Sequence, residues 1–177
     1  MAYVLTGKYY FLETQWYLAN RALFFMSSSD SIDERANNII YVDGQQARAA
    51  AWQIRTVAKA AFMAPDSHAF ADMYEPFVTG TFNDINTRYV DSGGSEHNMF
   101  GYTRFLNYGQ GWSRPWMTDF QVGAFLEVAR MGLGGANRAA VAAWYAQWIQ
   151  GRTSYQGNVD WCWQQGPSYS HNDTQPW

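Results

Sequence analysis

Apolar residues return at steps of three and four along most of this chain, the spacing that gathers them on one face of an α-helix. Leu12, Trp16, Ala19, Leu23 and Met26 predict a first helix over about residues 8–26, with Thr6 as its N-cap and Ser27, Ser28, Ser29 and Asp30 closing it. A second is predicted over about 45–64, after the Asp43-Gly44 turn. It carries Ala47, Ala50, Ala51, Ala58, Ala60 and Ala61 beside an Ile54, Val57 stripe, and Pro65 stops it. Small residues on several faces predict an inner helix with close neighbours on more than one side. The third, 67–89, has Asp66 or Ser67 as cap and Phe70, Tyr74, Phe77, Thr81 and Ile85 as its face. Pro76 inside it predicts a kink or break. The fourth, 115–131, opens on Pro115, buries Met117, Phe120, Ala124, Val128 and Met131, and ends at Gly132, Gly134 and Gly135. The fifth, 136–150, is expected to bury Ala140, Ala143, Trp144 and Trp148. Residues 151–177 show no helical period and read as an irregular strap. No segment alternates as a strand should, so any sheet is expected to be minor.

The result is a single all-α domain over 1–177, built from antiparallel helical hairpins. Its connections are uneven: about 18 residues from the first helix to the second, about three to the third, about 25 to the fourth and about four to the fifth. Short links make neighbours antiparallel, so alternate connections emerge at the same end. Both long loops and the tail therefore share one end. Long loops on a helical scaffold are where function concentrates, though they also serve to cover helix ends.

Composition narrows the partners. The net charge is −3 and no basic run occurs, which excludes nucleic acid as an expected ligand. No apolar run approaches the ~20 residues of a membrane span, the first residues lack the character of a secretory leader, and compartment stays open. One cysteine, Cys162, rules out an internal disulfide. No pair of histidines has helical ligand spacing, and neither a metal nor a cofactor is expected. Aromatic residues make up 18% of the chain against 15% charged, more rings than a core of this size uses, so some are expected in grooves or interfaces.

Thr6-Gly7 followed by Tyr9, Tyr10, Phe11, Leu12 and Glu13, the stretch Arg48, Ala51, Trp52, Arg55, Val57, Ala58 closing in Ala64-Pro65-Asp66, and Pro115-Trp116-Met117 with Phe120 resemble hairpins of the (α/α) toroid proteins. That group includes polysaccharide lyases and glycoside hydrolases. The resemblance covers about residues 3–150, roughly half of a six-hairpin toroid, and implies that substrate binds where loops enter the inner helices. The aspartate-rich motifs of the terpene cyclases, which share the architecture, are absent.

A polysaccharide lyase neutralises a uronate carboxylate and removes the neighbouring carbon-bound proton; Asn, His and Arg suit the first task, His or Tyr the second. The 91–114 loop holds all of these types. Since toroid lyases use a His and Tyr pair, the resemblance nominates His97 and Tyr102, with Arg104, as catalytic. An ordinary solvated loop would contain the same residues. Asn98, Trp112, Arg114 and Trp116, with Arg48 and Trp52 in the first turns of the second helix, are the candidate substrate-binding residues. Trp rings stack on the apolar faces of sugars, and they also anchor loops. A hydrolase would need two carboxylates ~5–10 Å apart, and nothing in the spacing of Asp43, Asp91, Glu96, Asp119 and Asp160 singles out a pair.

Two functions follow as expectations: a carbohydrate-active enzyme, a lyase on an acidic polysaccharide, or a non-catalytic binding or assembly module derived from a toroid. The partner is expected to be a carbohydrate or other small polar ligand. An open row of helices should also leave apolar sides at its two edges: Tyr9, Phe11, Tyr17, Leu18, Phe24 and Phe25 on the first helix, and Val141, Tyr145 and Ile149 on the fifth. A homodimer burying the first helix, the fifth or both is therefore expected, with the tail folding back over one edge as the alternative.

Overall fold

Six α-helices carry the described part of the chain, and their directions follow from which side chains meet. The computed structural model describes residues 2–25, 37–40, 47–66, 68–95, 101, 103, 112–113, 115–153 and 171–172. The helices are α1 (Ala2–Thr6), α2 (Tyr9–Phe25), α3 (Ala47–Met63), α4 (Ala69–Ile85), α5 (Pro115–Arg130) and α6 (Arg138–Thr153). A π-helical turn, Asn86–Val90, extends α4, and a 3₁₀ turn, Gly135–Asn137, leads into α6. The fold class is all-α, and α2 to α6 are the five helices read from the sequence.

Trp16 of α2 packs on Phe70 of α4, and the Tyr74 hydroxyl donates to Asn20 at 2.9 Å, so α2 and α4 rise together. Asn137 Nδ2 donates to Asn83 at 3.0 Å and Tyr89 meets Trp144, so α6 rises with α4. Arg48 lies by Trp116, and Lys59 by Glu127, so α3 and α5 also rise together. The tight 64–68 turn reverses the chain between α3 and α4. Two parallel helices, α3 and α5, therefore run against three others. α3 contacts α2, α4 and α5, as its alanines predict, and buries Ala47, Ala50, Ala51, Ile54, Val57, Ala58 and Ala60.

The helix ends that the two long connections join lie at one end of the array, as expected. One leads into α3. The other leads into α5 through β1 (Trp112–Ser113), which pairs antiparallel with β2 (His171–Asn172) of the tail, Trp112 opposite Asn172. Gly101 has φ +73°, and a Cβ there would collide with the Trp144 carbonyl. This glycine lets the second connection lie directly on α6. The first connection is pinned to mid-α4, where the Ile40 N–H donates to Thr81 Oγ1 at 2.9 Å.

Several local expectations are corrected. Thr6 is not the cap of α2. It ends the unforeseen α1, its hydroxyl donating to the Ala2 carbonyl at 2.7 Å. The cap of α4 is His68, whose Nδ1 accepts from the Phe70 N–H at 3.3 Å while its ring stacks on Trp16 at 4.4 Å. Pro76 breaks nothing: α4 passes through it at an exposed position. On α6 the inward residues are Val141, Trp144, Tyr145 and Trp148, whereas Ala140 and Ala143 face outward. Alanine is compatible with either side of a helix, so the larger residues decide the face. Burial of Val141 and Tyr145 removes most of the open edge expected on the fifth helix, leaving Ile149 exposed. Met26 lies outside the described residues, as do residues 154–170 and 173–177 of the tail.

Two predictions test this packing. Glycine inside a helix costs about 1 kcal/mol relative to alanine. At Gly80, however, an added Cβ would sit 2.5 Å from the Asn38 carbonyl oxygen and 2.7 Å from that of Asn37. Gly80→Ala should therefore destabilise by about 1–3 kcal/mol. Gly123→Ala, where nothing lies within 4 Å, should stabilise by about 0.5–1 kcal/mol. Urea titration of both variants reads the opposite signs. Secondly, burial pushes the Tyr74 hydroxyl up to about 12, against a smaller lowering by its bond to Asn20. A raised folded value means the stability is present below the unfolded tyrosine value of about 10 and is lost as pH climbs from there through the folded value. The wild type should lose stability over that window, and Tyr74→Phe should lose less.

Candidate functional site

Four residues of α3 recur at i, i+4, i+7 and i+11: Arg48, Trp52, Arg55 and Lys59. That spacing lines them along one side of the helix, opposite its alanine face. On α5 the spacing is matched by Trp116, Phe120, Gly123 and Glu127. Because α3 and α5 run parallel, the two lines meet along their length.

At the looped end, the Arg48 guanidinium carbon lies 5.9 Å from the Trp52 ring centre and 5.5 Å from that of Trp116. A planar cation against two indole faces is held by their quadrupoles, and it keeps the donors on its rim for hydrogen bonding. Trp52 is 57% exposed and meets the edge of Phe120 at 6.0 Å, while Trp116 is half-buried. Further along, Arg55 lies over Phe120 at 5.7 Å. Glu127 then bridges Arg55 at 2.8 Å and Lys59 at 3.1 Å. The strip thus alternates rings and cations, with three positive charges to one carboxylate. Gly123 lies between Phe120 and Glu127 with open space where a side chain would stand. No packing contact accounts for glycine at that exposed position, which leaves the strip without a side chain there.

A buried polar cluster supports this end from behind. Gln121 Nε2 donates to Thr103 Oγ1 at 2.8 Å and to the Tyr145 hydroxyl at 3.3 Å. Burial, followed by the nearby Tyr89 hydroxyl, pushes the Tyr145 hydroxyl well above the ordinary tyrosine range, against a smaller lowering by its bond with Thr103. Tyr145 therefore stays neutral and acts as a structural partner, tying the second long connection to α5 and α6. Asp119 accepts from the Trp148 indole at 2.8 Å and fastens α5 to α6. Asp91 accepts from Asn86 at 3.0 Å beneath the π-helical turn. The two described acids among those considered for a hydrolase are thus engaged in structural bonds.

Of the residues nominated from sequence, Arg48, Trp52 and Trp116 come together. His97, Asn98, Tyr102, Arg104 and Arg114 lie outside the described residues, as do Asp43, Glu96 and Asp160. Trp112 is placed by its backbone in β1, just ahead of α5. Among the described residues no group of three His, Cys, Asp or Glu side chains could hold a metal ion. Sequence reasoning missed Lys59, Gly123 and Glu127 as parts of the groove and counted Phe120 as core. The shared four-and-three spacing on α3 and α5 was the signal that could have found them. Comparison with family models, with curated proteins and with solved structures finds no match.

If Trp52 serves a ligand and not the fold, Trp52→Ala should change stability by less than about 0.5 kcal/mol. Trp148→Ala, which empties a fully buried site and removes the indole donor to Asp119, should cost about 3–5 kcal/mol. Chemical denaturation of the two variants checks the contrast.

Proposed function

We propose that the protein binds an acidic carbohydrate chain in the α3–α5 groove, at the end where the long connections gather. The observation that carries this reading is Arg48 set against Trp52 and Trp116, with Trp52 open to solvent. The C–H face of a sugar ring stacks on an exposed indole, and a uronate or sulfate group takes the guanidinium rim by charge-assisted hydrogen bonds. From Arg48 to Lys59 the groove spans about 16 Å of helix, which suits an oligosaccharide better than a single sugar. The preference for an acidic polymer comes from the excess of cations over carboxylates along it.

The reading takes the helices as about half of an (α/α) toroid, with α3 and α5 in the inner positions. Their parallel course, with α2, α4 and α6 running the other way, supports that assignment. Non-catalytic binding needs only the groove. Cleavage by a lyase route would draw on His97, Tyr102 and Arg104 in the connection that leads into α5, with Asn98 and Arg114 beside them and Trp112 at the start of the helix.

Isothermal titration with oligomers of alginate, heparin and pectin tests the proposal, with a neutral cellulose oligomer as control. Acidic oligomers should bind in preference to the neutral one. Trp52→Ala should weaken binding about tenfold or more. Arg48→Ala should remove about 1.5–3 kcal/mol and most of the preference for acidic chains. Gly123→Leu should weaken binding while leaving the fold stable. Absence of binding to every acidic oligomer, or binding indifferent to both Arg48 and Trp52, would refute it. Absorbance of unsaturated product, lost in His97→Ala, separates a lyase from a binding module.

A further inference from the structure

The side of α2 turned away from the core exposes a line of aromatic rings. Leu12, Trp16 and Ala19 face inward. The opposite side carries Tyr10, Tyr17 and Phe24, seven residues apart and 69%, 68% and 72% exposed. Exposed Glu13, Thr14, Leu18, Asn20 and Arg21 lie among them. At ~150–250 Å² per ring, the three aromatics alone present about 400 Å² to solvent. That is within the range of the largest patch a monomer usually carries, and about half of what one partner buries in a standard interface.

The order of residues along this face identifies what covers it. In an antiparallel pair related by a two-fold axis at Tyr17, each residue meets the one equally far on the other side of Tyr17. Tyr10, seven before, meets Phe24, seven after. Glu13, four before, meets Arg21, four after, and Tyr17 meets itself. The face is therefore complementary to its own two-fold copy in ring contacts and in charge, each Glu13 opposite an Arg21 twice over. Arg21 and Phe24 also interact within their own chain. An arginine has five donors and a flat fork, so one interaction does not exhaust it.

We infer that α2 is the self-association surface of this protein, packing antiparallel against α2 of a second copy about Tyr17. The interface lies on the side of the helix facing away from α3 and does not use the groove residues, so ligand binding and dimerisation are separable.

Sedimentation equilibrium of the full chain should give about 40 kDa at micromolar concentration, twice the 20.2 kDa of one chain. Glu13→Arg and Arg21→Glu each place like charges opposite one another, and each should weaken the dimer tenfold or more. The double variant exchanges the two signs and should restore it. Tyr17→Arg sets two cations on the axis and should give monomer with an unchanged helical circular dichroism spectrum. A 20.2 kDa particle at all concentrations overturns the inference. So does a dimer that ignores the α2 variants, or a double variant no better than its singles.

Discussion

The absence of side-chain volume on one half of α3 is the constraint on which the rest of the molecule depends. Ala47, Ala50, Ala51, Ala58 and Ala60 let α2, α4 and α5 approach the same helix closely, with Ile54 and Val57 filling the space between them. Helix separation is set by the side chains at the contact, so alanine draws three neighbours inward where leucine would hold them apart. The large rings then occupy the outer layer. Phe82, Tyr89, Phe125, Tyr145 and Trp148 fill the space where α4, α5 and α6 meet, and the Tyr145 hydroxyl and Trp148 indole find partners there.

That arrangement also fixes where polar chemistry can stand. With one half of α3 committed to alanine contacts, its long polar and aromatic residues share the remaining side, facing the matching line on α5. The parallel course of the two helices keeps those lines in register, so Trp116 and Phe120 of α5 meet Arg48 and Arg55 of α3. The tight turns bind one end of the array, and the open end receives both long connections. Gln121 ties Thr103 of the second connection to Tyr145 of α6, behind the end of the strip where Arg48 stands.

The five longer helices, their order and their connection lengths were legible because burial on this scaffold follows a strict three-and-four spacing; the short α1, which buries nothing, was not. Local departures came where two physical effects compete. On α6, alanine and aromatic residues occupy adjacent faces and alanine carries almost no preference. At the start of α4, an imidazole nitrogen does the capping usually given to Ser or Asp. At Pro76, the exposed position tolerates the lost hydrogen bond. Of the site, Arg48, Trp52 and Trp116 were legible because each stands in the first turns of α3 or α5, beside a long connection. The rest of the groove was hidden by a property no single helix displays: the parallel pairing that turns two separate stripes into one strip.

The central claim is that the α3–α5 groove recognises an acidic sugar chain through Arg48 and its two indoles. Side-chain nuclear magnetic resonance of the full chain, titrated with an acidic oligosaccharide, tests it most directly. The indole N–H signals of Trp52 and Trp116 and the Arg48 Nε signal should move together and saturate at one concentration, with those of Trp16, Trp144 and Trp148 unmoved. Saturating shifts confined to other residues, or none at all, would contradict it.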